Sequence, residues 1–410
     1  MKKVLMIAYH FPPMVSVGVL RALKFAKYLL QFGWKPIILT IKHPGPLTYK
    51  LDHQFTRDKL KGVKVYRSWG FPLAWAAKGL RRLGANAKWF IVPDDAVGWF
   101  LHSVFVGKKI IEKEKIDAIY ATSPSPTALL IATFLKRMCN KPLIVDFRDP
   151  WIDNTYVSYP SKIHYNLEKR MEEWVLKEAD AVVLVAEKDK KRLMGIFPFL
   201  KGSDISVIPN GYDPEDFVEA KPHKFSTFTI LHAGSIYGNK LREFELFLRA
   251  ANCLIQEKRV SADDFQLILM GYLASAARRI INELNLPNVH YLGVKTYNET
   301  ISLMMGADVL LLIPGFGDNI TTKVYEYLAA GKFILNLANS NDQVSRLIHK
   351  MKAGETAEPN MHSIQETLYK VLKHKDIKVK VNSEKLNKFS RDNLTKELAL
   401  ILDSVYSKFI

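Results

Sequence analysis

The chain has 410 residues, a formal net charge of +18, 48% hydrophobic residues and two cysteines. That length and apolar content exceed one small domain and supply two cores, while Cys139 and Cys253, single and far apart, exclude a disulfide framework or a zinc knuckle. The basic excess implies an anionic partner, whether membrane surface, nucleic acid or phosphorylated substrate.

In chain order, the first apolar run, 4–9, is short and stops at His10, Phe11, Pro12 and Pro13 with no small-residue cleavage site. It reads as a buried strand, not a signal peptide. Residues 19–32 carry apolar side chains at helical spacing (Leu20, Leu23, Ala26, Leu29, Leu30) and stop at Gly33, a helix terminator. Further strands are expected at 35–40, 63–67, 118–121, 142–146 and 181–185, with helical patterns between them. After a turn-rich stretch from Pro209 to Thr227 the alternation restarts, with strands at 228–233, 266–270, 289–292, 309–313 and 333–336. Alternating strands and helices in both halves give an α/β fold with two parallel sheets. The expected domains are 1–210 and 228–383, joined by a linker at 211–227, with a terminal helix at 384–410 packing back on the first domain. No stretch reaches the roughly 18 to 20 apolar residues of a membrane span.

Several chemistries lack their signatures. No three-glycine dinucleotide fingerprint follows 4–9, and no phosphate-binding Gly-x4-Gly-Lys-Ser/Thr, nucleophile elbow or zinc helix occurs. The richest segment is Gly315 to Lys332, where a glycine turn leads into a helix opening with Asp318, Asn319, Thr321 and Thr322. Unpaired N–H groups and the positive end of the macrodipole suit a diphosphate there, and Lys323 adds a charge. Asp318 and Glu326, eight positions apart, are placed to accept from sugar or ribose hydroxyls. The alternative is ordinary capping by Asp318, a solvated Glu326 and a Gly331 C-cap.

That segment, an Asp-x7-Glu followed by Ala329, Ala330, Gly331 and Lys332, resembles the Glu-x7-Glu signature of family 4 glycosyltransferases of the GT-B class. Three other segments are similar to the same family in the same order. They are His10 to Pro13 with Gly18 and the helix from Arg21, the run Ile208 to Phe217, and His232 to Lys240. The resemblance implies two Rossmann-like domains facing across a cleft, acceptor on the N-terminal one and nucleotide on the C-terminal one, with retention of anomeric configuration. It places Glu326 on the ribose and Asp318 at the carboxylate facing the donor sugar, where the family has Glu. It places Lys240 on the diphosphate with Arg242 as a second cation, and Gly18 close to phosphate or sugar. The donor set is completed by Gly234, Ser235, Gly317, Asn319, Thr321, Thr322 and Lys323.

Many family members carry a His after the strand at 118–121, whereas this chain has Thr122, Ser123 and Pro124. The nearest chemical substitute is the strand end at Asp146, Arg148 and Asp149. Arg148, Asp149 and Ser123 are therefore the acceptor-side candidates, with Asp149 also a catalytic one; the alternative is a structural ion pair of Arg148 with Asp146 or Asp149.

Residues 71–90 mix Phe71, Trp75, Trp89 and Phe90 with Lys78, Arg81, Arg82 and Lys88, the composition of an interfacial helix on anionic lipid; the alternative is a surface helix whose aromatics pack into its own domain. The expected function is a retaining, metal-independent transfer of sugar from a nucleotide diphosphate sugar to a glycan or lipid-linked acceptor, in cell-surface polysaccharide or glycolipid synthesis. Such an enzyme needs no cofactor. The expected location is cytoplasmic, peripheral on the inner face of the membrane. The alternatives are a nucleotide-sugar epimerase of the same fold or an inactive nucleotide-sugar binding protein. No aromatic and basic motif points to nucleic acid.

Overall fold

The computed structural model describes residues 1–15, 17–42, 50–51, 60, 62–71, 73–82, 84, 87–154, 157–315, 321–375, 377 and 379–410. They fall into two compact units, residues 1–209 with 391–410, and residues 210–390.

The first unit contains β1 (Lys2–Ala8), β2 (Met14–Val15), β3 (Trp34–Ile41), β4 (Lys50–Leu51), β5 (Lys64–Ser68), β6 (Ala118–Thr122), β7 (Leu143–Phe147), β8 (Ala181–Leu184) and β9 (Ile205–Val207). Seven form one sheet in the order β5-β3-β1-β6-β7-β8-β9, every pair parallel. Near-continuous apolar sequence in β1, β3, β6 and β7 matches a sheet buried on both faces. The edge strand β9 has no counterpart among the expected strands, because Ile205–Val207 is too short to show a period. The first helix, Val17–Tyr28, runs through a 3₁₀ turn to Gly33, whose φ of 81° ends it.

The terminal helix, Arg391–Phe409, belongs to this unit. Leu394, Leu398, Leu402 and Val405 enter the core of the first sheet. Asp403 accepts from Trp34 Nε1 at 3.0 Å and pairs with Lys2.

The second unit contains β10 (Thr229–Ala233), β11 (Gln266–Met270), β12 (Val289–Tyr291), β13 (Val309–Leu312), β14 (Phe333–Leu337) and β15 (Gly354–Ala357). Their order is β12-β11-β10-β13-β14-β15, again all parallel. The segment 211–227 carries a short helix, Pro214–Glu219, whose N-cap Asp213 accepts from the Glu215 N–H. It is part of this unit.

Both sheets run outward from a central strand and then restart on its other side, so each is a Rossmann-like domain with one reversal of strand order, between β1 and β6 and between β10 and β13. In open parallel sheets a ligand crevice forms at the carboxyl ends of the strands at that reversal.

Candidate functional site

At the reversal of the second sheet, β10 ends in Ala233 and continues into Gly234 and Ser235, while β13 ends in Leu312 and continues to Gly315. The Gly234 N–H donates to Met270 O at 2.9 Å, tying this turn to β11. Gly315 has a φ of 83°, and a Cβ there would stand 2.8 Å from Asn239 Oδ1 and 3.1 Å from Lys240 Cγ. Only glycine lets the two loops meet this closely. Lys240 closes a 3₁₀ turn, Gly238–Lys240, that opens the helix Leu241–Gln256.

The helix Thr322–Ala330, which the sequence reading opens at Asp318, has Thr321 as its N-cap and ends at Gly331 with a φ of 67°. Thr321 Oγ1 is buried and has no partner, and no side chain caps the helix among the described residues. One turn in, Lys323 Nζ donates to Glu326 Oε2 at 2.7 Å. Glu326 is 2% exposed and also accepts from Tyr297 Oη at 3.4 Å. The idea that Glu326 is a solvated surface carboxylate is thereby overturned. Tyr327 on the same helix accepts from the Ala233 N–H at 2.8 Å and donates to Leu311 O at 3.3 Å, locking this helix to β10 and β13.

Lys240 and Lys323 repel each other across this site. Burial, and after it the Lys323 charge, holds the Lys240 ammonium below the usual lysine range. His232, at the end of β10, shares the field; burial first, with Lys240 and Lys323 adding to it, pulls its imidazole down to about 4. With Nδ1 at 2.9 Å from Leu311 O, the neutral ring donates there. Its Nε2 is left as a buried acceptor without a partner, 3.3 Å from where a Cβ on Gly234 would be. His232 had been noted only as part of a motif.

The structure thus gathers Gly234, Lys240, Thr321, Lys323 and Glu326 around one sheet reversal; Ser235 follows Gly234 in its loop, and Thr322 is the first residue of the helix. Arg242 is exposed. Gly317, Asp318 and Asn319 lie outside the described residues.

At the reversal of the first sheet, Asp146 does not pair with Arg148. Its partner is Arg21, from the first helix, with contacts of 2.7 and 2.9 Å. Arg21 also donates to Ile208 O and Pro209 O, each at 3.0 Å. Asp146 further accepts from Tyr120 Oη and from Thr122 Oγ1 at 3.1 Å. This network is saturated and buried, so it is structural. A separation of 125 residues hides the pair from sequence spacing.

Arg148 instead lies beside Asp149, Nε to Oδ2 3.7 Å. Its N–H donates to Ser123 Oγ at 3.1 Å, which brings the three acceptor-side candidates together. Arg148 Nη1 is buried without an acceptor and stands 2.9 Å from the position a Cβ on Gly18 would take. His10 adjoins the same glycine, and burial, then the Arg148 charge, lowers its imidazole to about 4. His10 is thus a histidine near the acceptor-side residues, in the turn after β1 and not after the strand where the family pattern places it. Ser123 and Asp149 line a cavity of about 240 Å³. Among the described residues no cluster of side chains forms a metal-binding group, and no helix is long and apolar enough to cross a membrane.

The family model described as Glycosyltransferase Family 4 matches residues 19–216. None of the curated proteins matches the sequence. The fold is similar to that of sucrose-phosphate synthase from Thermosynechococcus elongatus, with TM-score 0.67, 15% identity, and 100% of this chain and 99% of that one covered. It is similar to Anabaena HepE, solved in complex with UDP and glucose, with TM-score 0.66, 14% identity and coverage of 98% and 100%. A glycosyltransferase from Rickettsia africae follows with TM-score 0.62, 16% identity and coverage of 100% and 98%. Residues 19–216 thus match the Glycosyltransferase Family 4 model, and along the whole chain the two-domain fold is that of solved GT-B glycosyltransferases.

Proposed function

We propose that the protein transfers a sugar, with retention of configuration, from a nucleotide diphosphate sugar held by the second domain to a hydroxyl of a glycan or lipid-linked acceptor held by the first. The observation that carries this reading is the pair of cations, Lys240 and Lys323, set beside the buried carboxylate Glu326 at one sheet reversal. An ammonium whose proton affinity is lowered by burial and by a second ammonium beside it is an anion site waiting for its ligand. A diphosphate supplies that anion, and the N–H groups at Thr321 and Thr322 face the same end of the helix. Glu326 accepts from the ribose hydroxyls. Asp318, with Gly317 and Asn319, is proposed for the sugar.

In the reaction the acceptor oxygen bonds to the anomeric carbon on the face the diphosphate leaves. The anomeric carbon to phosphate-oxygen bond breaks, and the acceptor proton passes to the departing phosphate. Negative charge grows on that phosphate, and Lys240 and Lys323 stabilise it in a site that needs no reorganisation. Asp149, with Ser123 and Arg148, orients the acceptor hydroxyl, and the reaction requires no cofactor. A panel of UDP-, GDP-, ADP- and dTDP-sugars in a thermal-shift assay tests the donor assignment. At least one should raise the melting temperature, and stabilisation by none would refute it.

We further propose that the first domain docks peripherally on the cytoplasmic face of an anionic membrane, in glycolipid or polysaccharide synthesis. Phe71, Trp89 and Phe90 are exposed; the side chains of Trp75, Lys78 and Arg81 lie outside the described residues. Trp69, Leu101 and Phe105 are exposed as well. Trp69 packs edge-on against Phe71 at 6.2 Å, and its backbone N–H donates to His102 Nδ1 at 2.9 Å. Lys108 and Lys109 follow on the same helix as Leu101 and Phe105. Apolar side chains beside lysines suit anionic lipid. The doubly substituted Leu101→Glu, Phe105→Glu protein should sediment with phosphatidylglycerol vesicles several-fold less than the unaltered protein; equal sedimentation would refute this face.

A further inference from the structure

The 240 Å³ cavity of the first domain lies between the charged end of β7, the loop after β6 and the turn at Asp94 and Asp95. Its volume corresponds to roughly eight waters, the scale of one sugar ring. Two of its carboxylates are committed to the protein. Asp94 accepts from the N–H groups of Ala96 and Thr127 and from the hydroxyls of Ser125 and Thr127, at 2.7 to 3.0 Å. Glu168 accepts from Lys88 Nζ at 2.5 Å and Trp151 Nε1 at 2.9 Å.

Asn154 donates to Pro150 O at 3.0 Å, whereas three other polar groups of the wall are open. Asp95 has no hydrogen bond or ion pair among the described residues, and Asp149 has only the 3.7 Å contact from Arg148. Ser123 Oγ accepts from the Arg148 N–H and keeps its own proton to donate. Carboxylates without partners want donors, and sugar hydroxyls are donors. The walls carry four carboxylates, Asp94, Asp95, Asp149 and Glu168, against the single ammonium of Lys88. On a chain of net charge +18 this is an acidic enclave, which repels phosphate. Apart from Asn154 the rest of the wall is apolar, including Ile91, Pro93, Pro150 and Val157, and suits the C–H faces of a ring.

An apolar strip adjoins the cavity. Trp89 and Phe90, 53% and 76% exposed, follow the wall residue Lys88 and precede the wall residue Ile91. Ile163 and Leu167, also exposed, share a helix with Glu168, and Trp89 meets His164 of that helix edge-on at 5.0 Å. Exposed apolar side chains grouped beside a polar cavity suit a ligand with a polar head and an apolar tail.

We infer that the cavity holds the sugar ring of an uncharged glycolipid acceptor, with Asp95 and Asp149 accepting from its hydroxyls and the strip of Trp89, Phe90, Ile163 and Leu167 holding its apolar aglycone. The inference rests on reading the first domain as the acceptor side. It adds that the unit bound there is neutral and that any phosphate of the acceptor lies elsewhere.

Calorimetric titration of the full chain with octyl β-D-glucoside and octyl β-D-galactoside below their micelle concentrations, with the matching methyl glycosides, and with octyl phosphate tests it. An octyl glycoside should bind, its methyl counterpart more weakly, and any octyl phosphate binding, at the Lys240 and Lys323 cations, should be unchanged by Asp95→Asn. Asp95→Asn should weaken octyl glycoside binding about tenfold, with Asp149→Asn as the second variant should the first fail to fold. The double variant Trp89→Ala, Phe90→Ala should weaken only the octyl ligands. Octyl phosphate binding that depends on Asp95, no octyl glycoside binding, or unchanged glycoside affinity in the folded Asp95→Asn protein would each overturn the inference. UDP, GDP and ADP titrated separately distinguish the two failures. Nucleotide binding without glycoside binding defeats this inference alone, whereas absent nucleotide binding defeats the donor assignment and leaves the cavity result standing.

Discussion

Replacing Glu326 by Gln keeps the volume of the side chain and removes its charge. Glu326 is buried and receives Lys323 Nζ at 2.7 Å, so its oxygens are fixed before any ligand arrives. A hydrogen bond to a charged group contributes about 1.5–3 kcal/mol. If Glu326 accepts from the ribose, Glu326→Gln should weaken nucleotide binding by about ten- to a hundredfold, since each tenfold is about 1.4 kcal/mol. The cost to folding should be much smaller. Lys323 remains about a quarter exposed and can turn to water, and partly exposed pairs contribute about 0–1 kcal/mol. Calorimetric titration with UDP, GDP and ADP, beside a thermal melt without ligand, separates the two quantities. Unchanged affinity for whichever nucleotide binds would refute the ribose role. A collapsed melting temperature with proportionate loss of binding would show that Glu326 serves the fold.

Lys240→Met should reduce diphosphate affinity at least tenfold and flatten its salt dependence, while Arg242→Met, at an exposed position, should change little; titrations at two salt concentrations check both. Asp146→Asn leaves Arg21 buried without its carboxylate, which costs about 3–5 kcal/mol. That should lower the melting temperature by about 10 °C in a thermal scan. The His232 imidazole stays neutral in the folded chain down to about 4, whereas an unfolded histidine takes up a proton near 6.5. Its contribution to stability is therefore complete above about pH 6.5 and is lost as pH falls through about 4, a span of about 3 kcal/mol. An NMR titration should place the His232 inflection near pH 4, and one near 6.5 would contradict its burial.

The parts of the site that could be read from the sequence are those set by local spacing. Lys323 and Glu326 are three residues apart on a helix bounded by Gly331, so their proximity follows from the helical repeat. The apolar runs of β1, β6, β7, β10 and β13 announced two parallel sheets, and the connections put Gly234 and Lys240 after β10 and Lys323 in the helix after β13. Short edge strands such as Ile205–Val207 and Gly354–Ala357 escaped, because three or four residues show no period. The pairing of Arg21 with Asp146 and the approach of Lys240 to Gly315 depend on tertiary packing, which spacing does not encode. Asp94 and Asp95 gave no signal. Their roles, one saturated and one open, follow from where Ser125 and Thr127 place their donors.

The most direct test of the account is to incubate the full chain with the nucleotide sugar that binds it and with an octyl glycoside, and to analyse the products by mass spectrometry and proton NMR. The account predicts a disaccharide glycoside carrying the donor's own anomeric configuration, formed in step with free nucleoside diphosphate. An inverted linkage, or conversion of the nucleotide sugar to an isomer without consumption of acceptor, would contradict it.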